Sequence, residues 1–488
     1  MSAGRAYSHH ANVENNAGAR RPRGRRPGNR FSAVTRYPEG HVFYRRLTHD
    51  YRIIVRGEGC RVYDREGCDY IDACGGAFVA NLGHGVREIA DAMAHQAAHL
   101  GYVSGAAFTH EAVEQFASEL AALCPGDLNK AYPLTSGSDA IEAALKLARQ
   151  YWAEAGRPAK QRIIALTPAY HGNTLLALSA SAREHYKTYF GGWLVDMIRI
   201  PAPYPYRCAC GGERPYCAAC SGDALEEAIV RTGPEKVAAF IAEPVGGSST
   251  GASVPPPEYF RRVREICDRY DILFVADEVL VGAGRTGTWT AIAQSAVTPD
   301  LLVLGKGIAA GYAPLAAVVA PERLLAPLAR GSGALMHAQT FSHHPVSCAA
   351  GLATIRYLRQ HCLVERCASI TPHFHHRLSA LRSLPYVGDV RGRGLLAGVE
   401  FVADKETRAP FKRAEHFAER FVDAALDAGL VVWPNVGQAN GTDGDLVMLA
   451  PPFVITEAEI DEIVTRFEQA LSAPYLRVSR DRVEETKR

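Results

Sequence analysis

Five short runs constrain this chain more than any other feature. Ile163–Leu166, Val237–Ala242, Ile272–Ala276, Leu301–Leu304 and Leu315–Val319 are almost wholly apolar. A strand with one face in water alternates polar and apolar residues, whereas an unbroken apolar run is a strand covered on both faces. Patterns of helical period lie between them, as in Tyr259–Tyr270. The alternation, from about 100 to 340, predicts an α/β layered domain around a mostly parallel sheet.

The flanks read differently. A hairpin is expected from Cys60–Tyr63, a turn at Asp64-Arg65-Glu66-Gly67 and Cys68–Ile71, and a helical pattern starts at Val86. Beyond 345, helices are expected at Pro345–Gln360, Ser369–Leu384 and Glu415–Ala428, and strands at Leu395–Phe401, Leu430–Trp433 and Leu446–Leu449. Thr456 caps a last helix. The expected organisation is a leader (1–35), an N-terminal segment of a small domain (36–95), a large domain (96–344), a smaller α+β domain (345–476) and a tail (477–488).

Composition excludes several classes. With 47% hydrophobic and 22% charged residues, the chain is not disordered, collagenous or coiled coil as a whole. No run approaches the roughly 18 apolar residues of a membrane span. A net charge of +2 makes no global case for nucleic-acid or membrane binding. Residues 1–30 hold no apolar segment of the signal-peptide kind, and the basic run Arg20–Arg26 reads as a disordered, solubilising leader. Most of the twelve cysteines sit singly in apolar patterns, which suits a reduced, cytoplasmic protein.

Four local features carry chemistry. Thr135-Ser136-Gly137-Ser138-Asp139 opens into a helix with apolar residues at Ile141, Ala144, Leu145 and Ala148. Free N–H groups and the positive end of the helix dipole meet there, as a phosphate requires. Phe274-Val275-Ala276-Asp277-Glu278-Val279 puts two carboxylates at the C-terminal end of a buried strand, where α/β proteins hold ligands. Gly305-Lys306-Gly307 ends the apolar run Leu301–Leu304. A buried ammonium is costly, so its pKa falls or it is consumed covalently, and a neutral amine is a Schiff-base nucleophile. Ala169-Tyr170-His171-Gly172 offers an aromatic face at the same sheet edge. Pyridoxal 5′-phosphate is the one ligand that needs all four.

Those motifs, with Gly284-Arg285-Thr286-Gly287, His337–Ser342 and Val390–Leu395, resemble the class III (subgroup II) aminotransferases, ω-transaminase-like members of the fold-type I pyridoxal-phosphate enzymes, over about 40 to 475. The resemblance implies that Lys306 holds the cofactor and then shuttles a proton. Asp277 keeps the pyridine nitrogen protonated, Val279 packs behind the ring, and Tyr170 stacks in front beside His171. Ser136, Gly137 and Ser138 form the phosphate site, and Glu243 is an active-site acid. It further implies that Thr340 reaches the phosphate of a neighbouring subunit, making a homodimer. An amine and an oxo acid would react in ping-pong fashion. Aminomutase, racemase or decarboxylase activity on the same fold, or a non-catalytic member, are the alternatives. Tyr102, Phe341 and Trp433 are expected to line the substrate pocket.

The sequence departs from ornithine- and GABA-type members at three places. Leu280 replaces a Gln, Ser248 a Glu, and Met448 the Arg that grips a substrate carboxylate. Removing both halves of a buried ion pair makes sense, because losing one half costs about 3–5 kcal/mol. Pyruvate is therefore expected over 2-oxoglutarate; its carboxylate needs a donor, for which Arg391 or Arg393 is a candidate, although the resemblance makes both structural residues in the first place. His343 stands where relatives often have Gly. Cys208, Cys210, Cys217 and Cys220 fall within 13 residues, but C-x-C-x6-C-x-x-C is not a common zinc spacing. A tight cysteine-bearing loop without metal is the expectation.

Overall fold

The computed structural model describes residues 34–35 and 40–476. The chain divides after Ile53 into two units. In the first, Val34–Thr35 pairs antiparallel with Tyr51–Arg52. That ladder includes the last two residues of the segment read as a leader. The rest of the leader, with its Arg-rich run, and the tail 477–488 lie outside the described residues.

The second unit is built on a seven-stranded sheet. Its spatial order is Leu128–Leu134, Ala316–Pro321, Leu301–Leu304, Leu273–Glu278, Val237–Ala242, Arg162–Thr167, Ile198–Pro201. Ala316–Pro321 runs antiparallel to both neighbours, and the remaining pairs are parallel. All five expected strands are present, with ends shifted by a residue or two. The two missed strands are the sheet's edges. Leu128–Leu134 reads L-N-K-A-Y-P-L, and an edge strand tolerates the polar residues and proline that hide its pattern.

Successive residues point to opposite faces of this sheet. Phe274 and Ala276 join one core with Phe240, Leu302 and Leu304. Leu273 and Val275 join another with Leu301, Val303 and the buried side of the helix Gly137–Glu154. The same alternation sends Asp277 to the face of that helix and Glu278 to the other. Glu278 is fully buried and accepts N–H bonds from Ala291 (2.6 Å) and Ile292 (2.8 Å), so its role is to anchor that turn.

A four-stranded sheet joins Val387–Gly392, Ala397–Phe401, Asp445–Leu449 and Trp433–Val436. Another joins Leu430–Val431, Asp69–Asp72, Arg61–Asp64 and Ile54–Glu58. The run expected as one strand, Leu430–Trp433, thus divides between two sheets. One core unites Cys60–Ile89 residues with those of the C-terminal helices and strands. The helix expected at Ser369 begins at Leu363 and accommodates Pro372 in its interior. Leu363, Val364, Cys367, Ile370 and Phe374 are buried along one stripe, and their packing outweighs the proline's cost. Thr456 and Glu459 form the expected cap as a reciprocal capping box. No helix among the described residues is long and apolar enough to cross a membrane.

Candidate active site

The parallel pairing of Leu273–Glu278 with Leu301–Leu304 sets Asp277 opposite Val303, so Lys306 follows just past the end of the adjacent strand. Lys306 has φ +44°, a left-handed backbone that costs a non-glycine residue energy and is concentrated at functional sites. Val279 lies between the two motifs. A Cβ on Gly137 would come within 2.7 Å of its Cγ1, and one on Gly305 within 3.2 Å. The serine loop, the residue after Asp-Glu and the lysine turn therefore meet at one point.

Ser136 caps the helix Gly137–Glu154. Its Oγ accepts from Asp139 N (3.2 Å) and donates to Asp139 Oδ2 (2.7 Å). That hydroxyl is committed to the cap, which leaves the backbone of the first turn and Ser138 to face an anion. Ser138 Oγ accepts from Asn173 N at 3.1 Å, which ties the serine loop to Tyr170-His171-Gly172. A Cβ on Gly172 would lie 2.4 Å from Ser138 Oγ, and its φ of +133° also favours glycine. Asn173 Nδ2 donates to the Tyr170 hydroxyl (3.0 Å).

Asp277 is buried, and its Oδ2 meets His171 Nδ1 at 2.7 Å while Oδ1 accepts from Val279 N (3.0 Å). His171 Nε2 is buried with no hydrogen-bond partner among the described residues. Glu243 accepts from Gly247 N (2.9 Å) and Tyr170 N (3.4 Å). Burial, reinforced by Asp277, pushes its carboxyl up to about 7, against the pull of His171 and the two N–H groups. Burial lowers the Lys306 amine below its ordinary range, partly opposed by Asp277 and Glu243. These groups are thus near enough to share one electrostatic environment.

The three residues expected to line a substrate pocket fall into two places. Tyr102 and Phe341 pair edge-on at 6.0 Å and are 48% and 53% exposed. Trp433 packs at 5.5 Å against Phe78, which sequence reasoning missed. Phe78 has φ +64° beside Gly75-Gly76, and that glycine pair was its only signal. Thr340 is exposed. His343 has φ +61°, which explains why glycine suits the position.

Leu280 and Met448 belong to one apolar cluster with Phe78, Val245, Val281, Leu446 and Trp433. Ser248 Oγ accepts from Arg183 Nη1 (3.2 Å), and Arg183 Nη2 donates to Asn435 Oδ1. The Arg183 guanidinium also lies 5.6 Å from the centre of the Tyr170 ring. Arg391, by contrast, is enclosed by Asp389 (2.9 Å), Glu400 (2.7 Å), the Tyr204 hydroxyl (2.7 Å) and Thr250 O (2.6 Å). Arg183 was not singled out from sequence, because nothing in its neighbourhood marks one arginine from another.

The residues fit pyridoxal 5′-phosphate. A glycine cradle opens at a helix N-terminus, a buried carboxylate is braced by a histidine, and an amine held below its usual pKa adjoins both. The family model for aminotransferase class-III matches residues 43–471. The chain belongs to the class-III aminotransferases. Members of this family use pyridoxal 5′-phosphate.

This class-III aminotransferase is 36% identical to the uncharacterized aminotransferase YodT of Bacillus subtilis, covering 89% of this chain and 98% of that one. It is 34% identical to a putrescine–pyruvate aminotransferase of Pseudomonas aeruginosa (86% and 90% covered). It is 33% identical to a diaminobutyrate–2-oxoglutarate transaminase of Halomonas elongata (86% and 90%). Among solved structures it resembles an (S)-enantioselective omega-transaminase from Thermomicrobium roseum, with TM-score 0.82, 34% identity, and 89% and 96% covered. It also resembles an omega-transaminase of Pseudomonas jessenii in complex with PMP, with TM-score 0.80, 31% identity, and 86% and 92% covered. The fold is that of the fold-type I class-III transaminases.

Proposed function

We propose that this aminotransferase moves an amino group from a primary amine or ω-amino compound to an oxo acid, with pyruvate favoured over 2-oxoglutarate, in a ping-pong sequence. The observation that carries the reading is the joint placement of Leu280 and Met448 in one apolar cluster with Phe78 and Trp433. The cluster is largely buried, and if its Leu280 and Trp433 side borders the substrate it would favour an uncharged donor body and lack the charged groups that would grip a second carboxylate. The relative named for putrescine and pyruvate is in keeping with this, although another of similar identity is named for 2-oxoglutarate.

When bound, the cofactor supplies an electron sink for the carbanion at the substrate's reacting carbon. Lys306 would hold it covalently and, once displaced, its amine would take the proton from that carbon and deliver it to C4′ of the cofactor rather than back to the substrate. Burial shifts that amine toward the neutral form a base requires. Asp277, braced by His171, would accept a hydrogen bond from the ring nitrogen and keep that nitrogen protonated. Val279 and Tyr170 would confine the ring, and Gly137 and Ser138 would hold the phosphate. Ser136 would act by fixing the loop, and Glu243 would line the site.

Arg183 would be the cation for the single carboxylate of a pyruvate-like acceptor, because its guanidinium stands over the Tyr170 ring; it also donates to Ser248 and Asn435. Exposed Thr340, Phe341 and Tyr102 fit a homodimer in which a second copy covers them and Thr340 completes the phosphate site next door. A cytoplasmic location and the large and small domains divided near 96 and 345 belong to the same proposal.

Steady-state assays of an amine panel against pyruvate and 2-oxoglutarate test it. The expected result is turnover with pyruvate, with parallel double-reciprocal lines. Exclusive use of 2-oxoglutarate overturns the acceptor assignment, and product formation without any oxo acid favours a mutase, racemase or decarboxylase.

A further inference from the structure

The segment 202–217 follows the edge strand Ile198–Pro201 and contains neither helix nor strand. No residue from 205 to 219 is fully buried. Unstructured connections beyond about 12–15 residues are uncommon inside a domain, and apolar burial does not hold this one in place. Between Arg207 and the helix at Ala218, it is held mainly by its cysteines. Cys208 Sγ lies 3.5 Å from Cys210 Sγ and 3.4 Å from Cys220 Sγ, and Cys210 Sγ lies 3.4 Å from Cys217 Sγ. All four sulfurs fall within 4.8 Å of one another, and all four cysteines are free.

These distances are too long for disulfides, whose sulfurs are about 2.0 Å apart. They match a tetrahedron of sulfurs around zinc, for which a Zn–S distance of about 2.3 Å places sulfurs roughly 3.8 Å apart. The backbone supports the same arrangement. Gly211 and Gly212 have φ +60° and +81°, so the chain turns sharply after Cys-Ala-Cys.

We propose that Cys208, Cys210, Cys217 and Cys220 bind one structural zinc ion. Binding would release the four thiol protons to solvent and form four Zn–S bonds without any change of oxidation state. A closed four-sulfur site has no open position, so its role is to cross-link the loop. The loop in turn carries Tyr204 and Arg207, which bond Glu400 on the strand Ala397–Phe401 (2.5 and 2.7 Å). The metal thereby secures the contact between this edge of the large sheet and the Val387–Phe401 hairpin. This replaces the metal-free loop expected from spacing alone, and it does not depend on which amine or oxo acid the enzyme uses.

The test is metal analysis of the full-length holoenzyme, produced with zinc in the medium and isolated under reductant. About one zinc per chain is expected, released by a thiol-blocking mercurial and captured by a colorimetric chelator. Protein produced with cobalt should show the visible bands of tetrahedral cobalt thiolate. In Cys210→Ser/Cys217→Ser, zinc should fall below about a tenth per chain and the loop should be cleaved faster by protease, with cofactor absorption retained. The proposal is overturned if the wild-type protein holds no zinc and takes up neither ion, if its four cysteines are found paired as disulfides, or if the double variant keeps its metal. The wild-type count decides even if the variant does not fold.

Discussion

Replacing Arg391 by Met separates a structural arginine from a substrate-binding one. Arg391 Nη1 meets Asp389, and Nη2 meets Glu400, the Tyr204 hydroxyl and Thr250 O, while Nε also donates to Thr250 O at 3.1 Å. Glu400 is fully buried, and its other oxygen is 2.6 Å from Arg207 Nη2. At an effective dielectric of about 20, a unit pair 2.7 Å apart attracts by roughly 6 kcal/mol. Desolvation of both ions offsets much of that, and breaking one side of a buried pair costs about 3–5 kcal/mol. Arg207 still neutralises Glu400 in Arg391→Met, which places the expected loss near the lower figure, about 3 kcal/mol.

For a protein of this size, unfolding is better followed as a rate than as an equilibrium. A loss of about 3 kcal/mol felt wholly in the unfolding step shortens the thermal-inactivation half-life by roughly 150-fold. The assay is residual activity against time at fixed temperature with saturating cofactor, paired with the KM for pyruvate at a permissive temperature. The expected outcome is a much shorter half-life and a pyruvate KM within about twofold of wild type. An unchanged half-life with a tenfold rise in KM would mean that Arg391 faces substrate, and would refute the reasoning.

Arg183→Met should behave in the opposite way, raising the pyruvate KM by about 10–100-fold, the worth of a charge-assisted hydrogen bond, while the KM for the amine stays level in steady-state kinetics. Lys306→Ala should abolish turnover and remove the absorption band of the covalently held cofactor, read directly by spectrophotometry. Gly172→Ala should weaken cofactor binding at least tenfold by titration of the apoenzyme, because its Cβ would displace Ser138 Oγ. Glu278 is pushed up to about 7 by burial, with Asp277 adding to the shift, from an ordinary value of 4.5. A raised acid stabilises the fold fully below about pH 4.5, and that contribution, about 3 kcal/mol, is lost as pH rises through about 7. Glu278→Gln should flatten the difference in thermal-inactivation half-life between about pH 5 and about pH 7.5.

The parts of this molecule legible in its sequence are those where burial on both faces leaves a residue little choice. The apolar runs Leu273–Ala276 and Leu301–Leu304, which lead into Asp277 and Lys306, are wholly buried, so a charge just past an unbroken apolar run marked both. The serine loop was legible because its helix carries a long apolar stripe, although the stripe did not show that Ser136 Oγ would bond Asp139. The edge strands were not legible, because their sequences do not carry the constraint of two covered faces. Arg183 and Phe78 were missed for a related reason. Their roles come from contacts with Ser248, Asn435, Tyr170 and Trp433, all more than ten residues away or on other elements.

The three departures from the ornithine- and GABA-type pattern gain meaning only when placed together. Read singly, Leu280, Met448 and Ser248 are three losses. In space, Leu280 and Met448 share one apolar cluster, while Ser248 accepts a hydrogen bond from an arginine over the Tyr170 ring. Losing the Arg–Glu pair therefore leaves neither half buried without a partner, the condition under which such a loss is tolerated. Where the ornithine- and GABA-type pattern has a charged pair, this chain has apolar Leu280 and Met448 in one cluster and Ser248, while the Arg183 guanidinium lies on the Tyr170 side. On the proposed function, a site so divided would discriminate by rejecting charge on one side and accepting it on the other. Adding back a single member, as in Met448→Arg, should therefore destabilise the protein without restoring 2-oxoglutarate use, since Ser248 offers the new cation no carboxylate.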